Sequence, residues 1–337
     1  MRKRLQNIEP TINDVAKDAN VSVASVSRVL NDPKSVAPQT FKKVMKSIKK
    51  LGYSKNTIAS SLKSQKSNFI GILVADIFNP FFVEIIKAAE KIIYDNGYTP
   101  IICDAEEDSQ KETNYLMHML YRRIEGLIII PALENTKIPE IIKDLKIPVV
   151  FIDRYFSKQY DSVRVNNIYG MNLLLGHFLD KQLKKIALVS GPRDTLPGRE
   201  RYDAFISIAE EKNIGIEQEY LKISDFTIEG GCEAVKELCD LEDPPEGIVI
   251  CNNLMGVGAL KALNEIGWKH TVDIEIIVFD DYPFFSLVDP PITVVKQPAY
   301  DMGNQAANRL MERISSSDER KFSPFDMMFK PELIVRA

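Results

Sequence analysis

From residue 69 onward, short runs of β-branched and apolar residues recur at a regular period, each followed by a helix-length amphipathic segment. The runs begin near Phe69, Tyr98, Gly126 and Pro148, and again near Lys185, Glu219, Gly247 and Glu275. The stretch Phe82-Val-Glu-Ile-Ile-Lys-Ala-Ala-Glu-Lys-Ile-Ile93 is typical of the segments between them. One helix between successive strands makes neighbouring strands parallel and covers both sheet faces. Two such series predict two similar doubly wound halves, with ligands held beyond the carboxyl ends of the strands. The composition, 45% hydrophobic and 27% charged, is that of a globular chain and excludes disordered and collagen-like classes. Leu127 to Ile130, the most apolar strand run, is closed by Pro131, far short of the ~20 residues of a membrane span. The basic start has no apolar stretch behind it, so no export signal and no membrane partner are expected, and the expected location is cytoplasmic.

Charge divides the chain more sharply than composition does. Residues 1–66 hold 14 Lys and Arg against four acids, a net +10, while residues 67–337 carry −14. A small basic head on an acidic body predicts a polyanion-binding module attached to a module with another task.

Within the head, Thr11 is placed to cap a helix whose apolar face is Ile12, Val15, Ala16 and Ala19. After the turn Asn20-Val21, Ser22 opens a second helix, Val23 to Leu30, with Val26, Val29 and Leu30 inward. A third follows Pro38, with Phe41, Val44, Met45, Ile48 and Leu51 inward and Gly52 as its stop. This is a helix-turn-helix, whose second helix enters a major groove. On its outer side Arg28 is the long multi-donor side chain suited to a guanine edge, unless it spends its charge on a surface ion pair. Val23 and Ala24 suit a thymine methyl. Ser22, Ser25, Ser27 and Asn31 suit phosphates, and the serines suit helix capping equally well.

Two segments then carry a resemblance: Thr11-Ile-Asn-Asp-Val-Ala-Lys through Val26-Ser-Arg-Val-Leu-Asn31, and Lys49-Lys-Leu-Gly-Tyr-Ser-Lys-Asn56 on to Leu62. Together they resemble the headpiece of LacI/GalR transcription regulators. The resemblance implies a hinge that becomes helical on operator DNA, with Leu62 wedged into the minor groove, Ala59 beside it and Lys63 at the groove edge. It adds Thr11, Tyr53 and Asn56 to the DNA-facing set. One departure is Val36-Ala37-Pro38, where the family usually has a capping Ser.

In the body, the loops after strands carry Asp76-Ile-Phe-Asn-Pro-Phe-Phe82, Asp153-Arg154, Asp225-Phe226, Asn252-Asn253 and Asp280-Asp281. Rings, an arginine and several carboxylates and amides converging on a cleft suit a polyhydroxylated ligand. Arg154, Arg193 and Arg199 extend that expectation to an anionic sugar. The resemblance continues through Asn79-Pro-Phe-Phe82, Ile152-Asp-Arg154, Arg201, Phe279-Asp-Asp281 and Val295-Lys-Gln-Pro298. It implies a periplasmic-binding-protein-like core, with Phe82 and Phe226 stacking on the effector and Asp153, Arg201, Asn252 and Asp280 as its polar contacts. Asp153 could instead cap a turn, and Phe226 could be cleft wall. Asn253 departs from the Asn-Asp usual there.

The expected architecture is an N-terminal all-α helix-turn-helix headpiece (1–55), a hinge helix or linker (56–67) and an α/β core of two doubly wound parallel-sheet subdomains (68–337). The first subdomain spans about 68–165 and 297–322, the second about 166–296 and 323–337. The expected function is a homodimeric repressor of carbohydrate-use genes, bound to a pseudopalindromic operator and controlled by a sugar or sugar acid. A catabolite-control type of regulation by a protein partner is the alternative. No cofactor, metal site or catalytic residue is expected: three histidines lie apart from any nucleophile, and Gly256-x-Gly258 lacks a third glycine. The chain ends after Leu333-Ile-Val335 without a leucine heptad, so no tetramerising tail is expected.

Overall fold

The computed structural model describes residues 10–53, 67–133, 137–316 and 323–336. Contacts separate the chain into two units, 1–66 and 67–337.

The first unit contains α1 (Ile12–Ala19), α2 (Val23–Asn31) and α3 (Pro38–Leu51). Thr11 and Asp14 form a reciprocal capping box on α1, and Asn20 ends that helix in the left-handed conformation. Val15, Ala16, Ala19, Val26, Val29 and Val44 are buried together, with Ile12, Leu30, Phe41, Ile48 and Tyr53 packed around them. Met45, expected inward, is 42% exposed. The buried position beside Val44 is Ser47, whose hydroxyl donates to Asp18 at 2.6 Å. A polar side chain satisfied across 29 residues of sequence breaks the apolar pattern that placed Met45 inside. Ala37 precedes α3 with no side-chain cap.

The second unit holds two six-stranded sheets. The first contains β1 (Phe69–Val74), β2 (Thr99–Asp104), β3 (Gly126–Ile129), β4 (Val149–Ile152) and β5 (Asp161–Val165), in the order β2-β1-β3-β4-β5. Its helices are α4 (Pro80–Asp95), α5 (Ser109–Tyr121) and α6 (Ile138–Lys143). The second sheet contains β6 (Ile186–Ser190), β7 (Leu221–Ile223), β8 (Gly247–Ile250), β9 (Glu275–Phe279) and β10 (Thr293–Lys296), in the order β7-β6-β8-β9-β10. Helices α7 (Asn167–Asp180), α8 (Leu196–Glu211), α9 (Ile228–Cys239) and α10 (Asn253–Ile266) belong to it. The two orders are the same, so the halves are built on one plan. After β10 the chain returns as α11 (Ala299–Ser315), packed on α4.

The C-terminal residues correct the expected partition. Residues 323–337 were assigned to the second half, but β11 (Asp326–Phe329) pairs parallel with β5 in the first sheet. Only β12 (Glu332–Ile334) joins the second sheet, antiparallel to β10. The reason is electrostatic: buried Arg164 of β5 is held by the Asp326 carboxylate through two hydrogen bonds of 2.9 and 2.6 Å. Gly256 and Gly258 serve packing, since a Cβ on Gly258 would lie 2.1 Å from the Ile228 carbonyl oxygen of α9. Among the described residues, no helix is long and apolar enough to cross a membrane, and no group of three or more His, Cys, Asp or Glu could hold a metal.

Candidate functional site

In the basic unit, the outward face of α2 presents Val23, Ala24 and Arg28 exposed, with Ser25 and Ser27 half-buried. Ser22 is a cap: its hydroxyl accepts from the Ser25 backbone N–H at 3.1 Å and pairs with the Ser25 hydroxyl at 2.9 Å. The Thr11 hydroxyl donates to Asp14 at 2.7 Å, so it too is occupied locally. Arg28 is paired with no carboxylate among the described residues. Tyr53 packs against the core of the unit. Asn31 closes α2. The sequence expectations for Asn56, Ala59, Leu62 and Lys63 lie outside the described residues.

In the acidic unit, all six expected effector residues line one cavity between the two sheets. The first half supplies Phe82 from α4 and Asp153 after β4; the second supplies Arg201 from α8, Phe226 after β7, Asn252 after β8 and Asp280 after β9. Three of the six hold left-handed backbone, with φ of +63° at Asp153, +66° at Phe226 and +79° at Asp280. Such conformations cost about 1–3 kcal/mol each and persist where the surroundings over-determine them. Gly191 makes the ring of Phe226 possible, because a Cβ there would fall 2.0 Å from it.

Arg201 is positioned from three sides. It donates to Asn167 at 2.8 Å and to the Cys251 carbonyl at 2.6 Å, and its guanidinium lies 3.7 Å from the centroid of the Phe279 ring. Asp280 stands 3.8 Å from Arg201 and accepts from the Gln297 amide. Burial pushes the Asp280 carboxyl up to about 6, with Arg201 and Gln297 opposing the rise. Burial raises Asp153 as well, against Arg154 and Arg201. Arg154 is gripped by Glu107 through two bonds of 2.7 Å and donates to the carbonyls of Pro131 and Ala132. Asn252 caps α10 and donates to the Phe226 carbonyl at 3.0 Å.

Sequence reasoning missed Glu107, Pro197 and Thr227, which line the same cavity. Glu107 was findable, since it follows β2 just as Asp153 follows β4. Two of the three arginines expected near the cleft stand elsewhere. Arg193 pairs with Asp203 at 2.6 Å and lies over the Tyr202 ring, and Arg199 lines a separate cavity.

The cavity has a volume of about 60 Å³. Across it, Asn253 of the second half donates to Asn79 of the first at 3.0 Å, and Arg154 sits 5.8 Å from the centre of the Phe226 ring. An aspartate at 253 has no proton to give Asn79 when ionised, so the departure to Asn253 makes this bridge possible. Asp153 Oδ1, Arg154 Nε and Gln297 Oε1 are buried without a hydrogen-bond partner among the described residues. Buried unsatisfied polar atoms are rare and costly, and these three belong to residues that line one cavity.

Two family models match the chain: bacterial regulatory proteins of the lacI family over residues 11–56, and a periplasmic binding protein-like domain over residues 175–337. The ribose operon repressor of Halalkalibacterium halodurans is 32% identical over 326 residues, covering 97% of this chain and 96% of that protein. The PurR transcriptional repressor of Haemophilus influenzae is 32% identical over 329 residues, covering 97% of each. Among solved structures, a lac repressor dimer bound to operator and the anti-inducer ONPF aligns with a TM-score of 0.82 at 23% identity, over 97% of this chain and 98% of that one. A CelR–cellobiose complex aligns at 0.73 and 23%, over 97% and 99%. At that identity the structures speak for the fold alone.

Proposed function

Since the chain belongs to the lacI family of bacterial regulatory proteins and is a DNA-binding transcriptional repressor, we propose that a neutral sugar in the interlobe cavity controls its grip on operator DNA. The observation that carries this reading is the trio of unsatisfied atoms, Asp153 Oδ1, Arg154 Nε and Gln297 Oε1, set beside the rings of Phe82 and Phe226. Hydroxyl groups both donate and accept, so a polyol satisfies a carboxylate, a guanidinium and an amide oxygen at once, while its C–H face lies on the rings. A sugar acid suits the cavity less well. Asp76, Glu107, Asp153, Asp225 and Asp280 line it against Arg154 and Arg201, and both arginines already hold protein acceptors.

A volume of about 60 Å³ is too small for a hexose, so binding requires the halves to part and reclose around it. The ligand thereby biases a two-state element, and the bias reaches DNA as a change in the relation between two subunits. A homodimer is part of this reading, because one recognition helix spans too few base pairs and two-fold symmetry reads a pseudopalindrome. The open sheet edges supply a face for it: β2 and β7 occupy equivalent edges and expose Ile102 and Ile223. On DNA, Arg28 reads a base, and Ser25 and Ser27 set register on phosphates while Ser22 caps the start of α2.

A thermal-shift panel of neutral sugars, sugar acids and sugar phosphates tests the reading. A neutral sugar that raises the melting temperature and changes operator affinity supports it. Stabilisation by sugar acids alone, or by no sugar, overturns it.

A further inference from the structure

The turn after β9 carries two adjacent carboxylates, of which Asp280 lines the cleft. Its neighbour Asp281 is held by Arg336, whose Nη1 and Nη2 donate to the two carboxylate oxygens at 2.9 Å each. We propose that Arg336, which does not itself line the cleft, is a positioning residue for the effector: through Asp281 it fixes the turn that aims Asp280 at the ligand. The proposal rests on the sugar reading of the cleft.

The turn needs fixing. Asp280 stands at φ +79°, a left-handed conformation that a residue other than glycine keeps only where its surroundings over-determine it. Anchors on both sides supply that. The Asp280 backbone N–H donates to the Val295 carbonyl at 2.8 Å, its carboxylate accepts from Gln297, and Asp281 is locked in the fork of Arg336. The fork is itself placed before any ligand arrives. Arg336 Nη1 also donates to the Ile292 carbonyl at 3.2 Å, and the Arg336 backbone N–H donates to Thr293 Oγ1 at 3.1 Å. Strand β12, just before it, is paired with β10. Two parallel bonds from a planar guanidinium fix the direction of a carboxylate as well as its distance, which a lysine ammonium does not do.

The origin of these anchors ties the aim of Asp280 to closure. Gln297 lies in the connection from β10 of the second sheet to α11, the helix packed on α4 of the first half. Arg336 lies two residues past β12, after the chain has crossed from β11 in the first sheet to β12 in the second. Two adjacent carboxylates are thus held by residues beside two separate crossings between the halves. Bending at those crossings re-aims Asp280, and a ligand that holds Asp280 resists the bending, so binding and closure are coupled. Charge adds a second link. Burial is the main cause of the raised Asp280 carboxyl, and the Asp281 charge adds to the rise. The Arg336 guanidinium, 2.9 Å from Asp281, offsets that charge.

Titration of the Asp280 carboxyl in the full chain reads the positioning without any ligand, by carbon-13 NMR of aspartate-labelled protein with Asp280→Asn as the assignment. Arg336→Gln should raise the midpoint by about half a pH unit or more, because Asp281 is left without its cation. Arg336→Lys should bring the midpoint back. Removing the Asp281 charge as well, in Arg336→Gln with Asp281→Asn, should do the same, a recovery that a merely structural role for Arg336 does not give. Calorimetric titration with D-xylose, D-glucose and maltose reads the consequence for binding. A sugar that binds wild type should bind Arg336→Gln about fivefold more weakly or worse. Arg336→Lys should recover only part of that loss, because the fork is gone. The proposal is overturned if Arg336→Gln leaves the midpoint unmoved, or if the double variant stays as shifted as the single one. Equal affinity of wild type and Arg336→Gln for a sugar also overturns it. Wild type that binds none of the three sugars counts against the sugar reading alone, since the titration decides the role of Arg336 without them.

Discussion

The basic unit and the acidic unit solve opposite problems with opposite means. The head buries six small apolar side chains, Val15, Ala16, Ala19, Val26, Val29 and Val44, and keeps its charge on the outside. Its helices therefore lean on caps: the Thr11–Asp14 box and the Ser22 hydroxyl at two of them, none at Ala37. The body owns large cores on its sheets and uses that stability to hold strained backbone and buried carboxylates around a cavity. A site that must bind a polyanion needs exposed cations and little core. One that must respond to a small ligand needs a stiff frame in which a few unsatisfied atoms can be afforded.

That contrast is broken most severely at Asp280. Asp280→Ala should abolish the effector response, lowering sugar affinity by about a hundredfold through the loss of a buried charged hydrogen bond, while operator affinity without effector stays within about twofold. Equal loss of both would mean that the units are not separable. Arg28→Ala is the converse test. It should cost about 1–3 kcal/mol of operator affinity and relax preference at one base position, with the sugar-induced melting shift intact.

A pH series sharpens the body's side of the comparison. Burial holds the folded Asp280 carboxyl near 6, above its ordinary value of 3.8, so ionising it costs the ligand-free fold stability as pH rises from about 4 through 6. A sugar hydroxyl favours the ionised form. Its affinity should therefore fall about tenfold per pH unit below 6 and level off above it, and Asp280→Asn should flatten that dependence. A slope that survives the substitution would assign the titration to another carboxyl. The smallest effects lie in the head. Thr11→Ala should destabilise it by about 1 kcal/mol, and Ala37→Ser should add up to about 1 kcal/mol by supplying the absent cap, neither moving the body's melting transition.

Most of the frame was legible because its signals are local. The runs near Phe69, Gly126, Gly247 and Glu275 became β1, β3, β8 and β9, since four to six apolar residues in a row suit a strand covered on both faces. The head's helices announced themselves through Thr11, Ser22 and Pro38. What escaped depends on distant partners. Strand β5 reads Asp161-Ser-Val-Arg-Val165, and its buried charges are satisfied by Asp326, Arg309 and Arg313, more than 140 residues away in sequence. The C-terminal strands were assigned together for the same reason. Asp153, Phe226, Asn252 and Asp280 were legible as residues that follow strands, whereas Phe82 and Arg201 reach the same cavity from inside helices α4 and α8.

The central claim is that a cationic headpiece holds operator DNA and a sugar-closed body adjusts that hold. The most direct measurement is the operator affinity of the full-length protein across a salt series, with and without the sugar found by thermal shift. The account predicts sequence-selective binding that weakens linearly in log–log salt, and a shift of at least tenfold between the two curves with little change in slope. Curves that coincide with and without ligand, or binding indifferent to sequence, would contradict it.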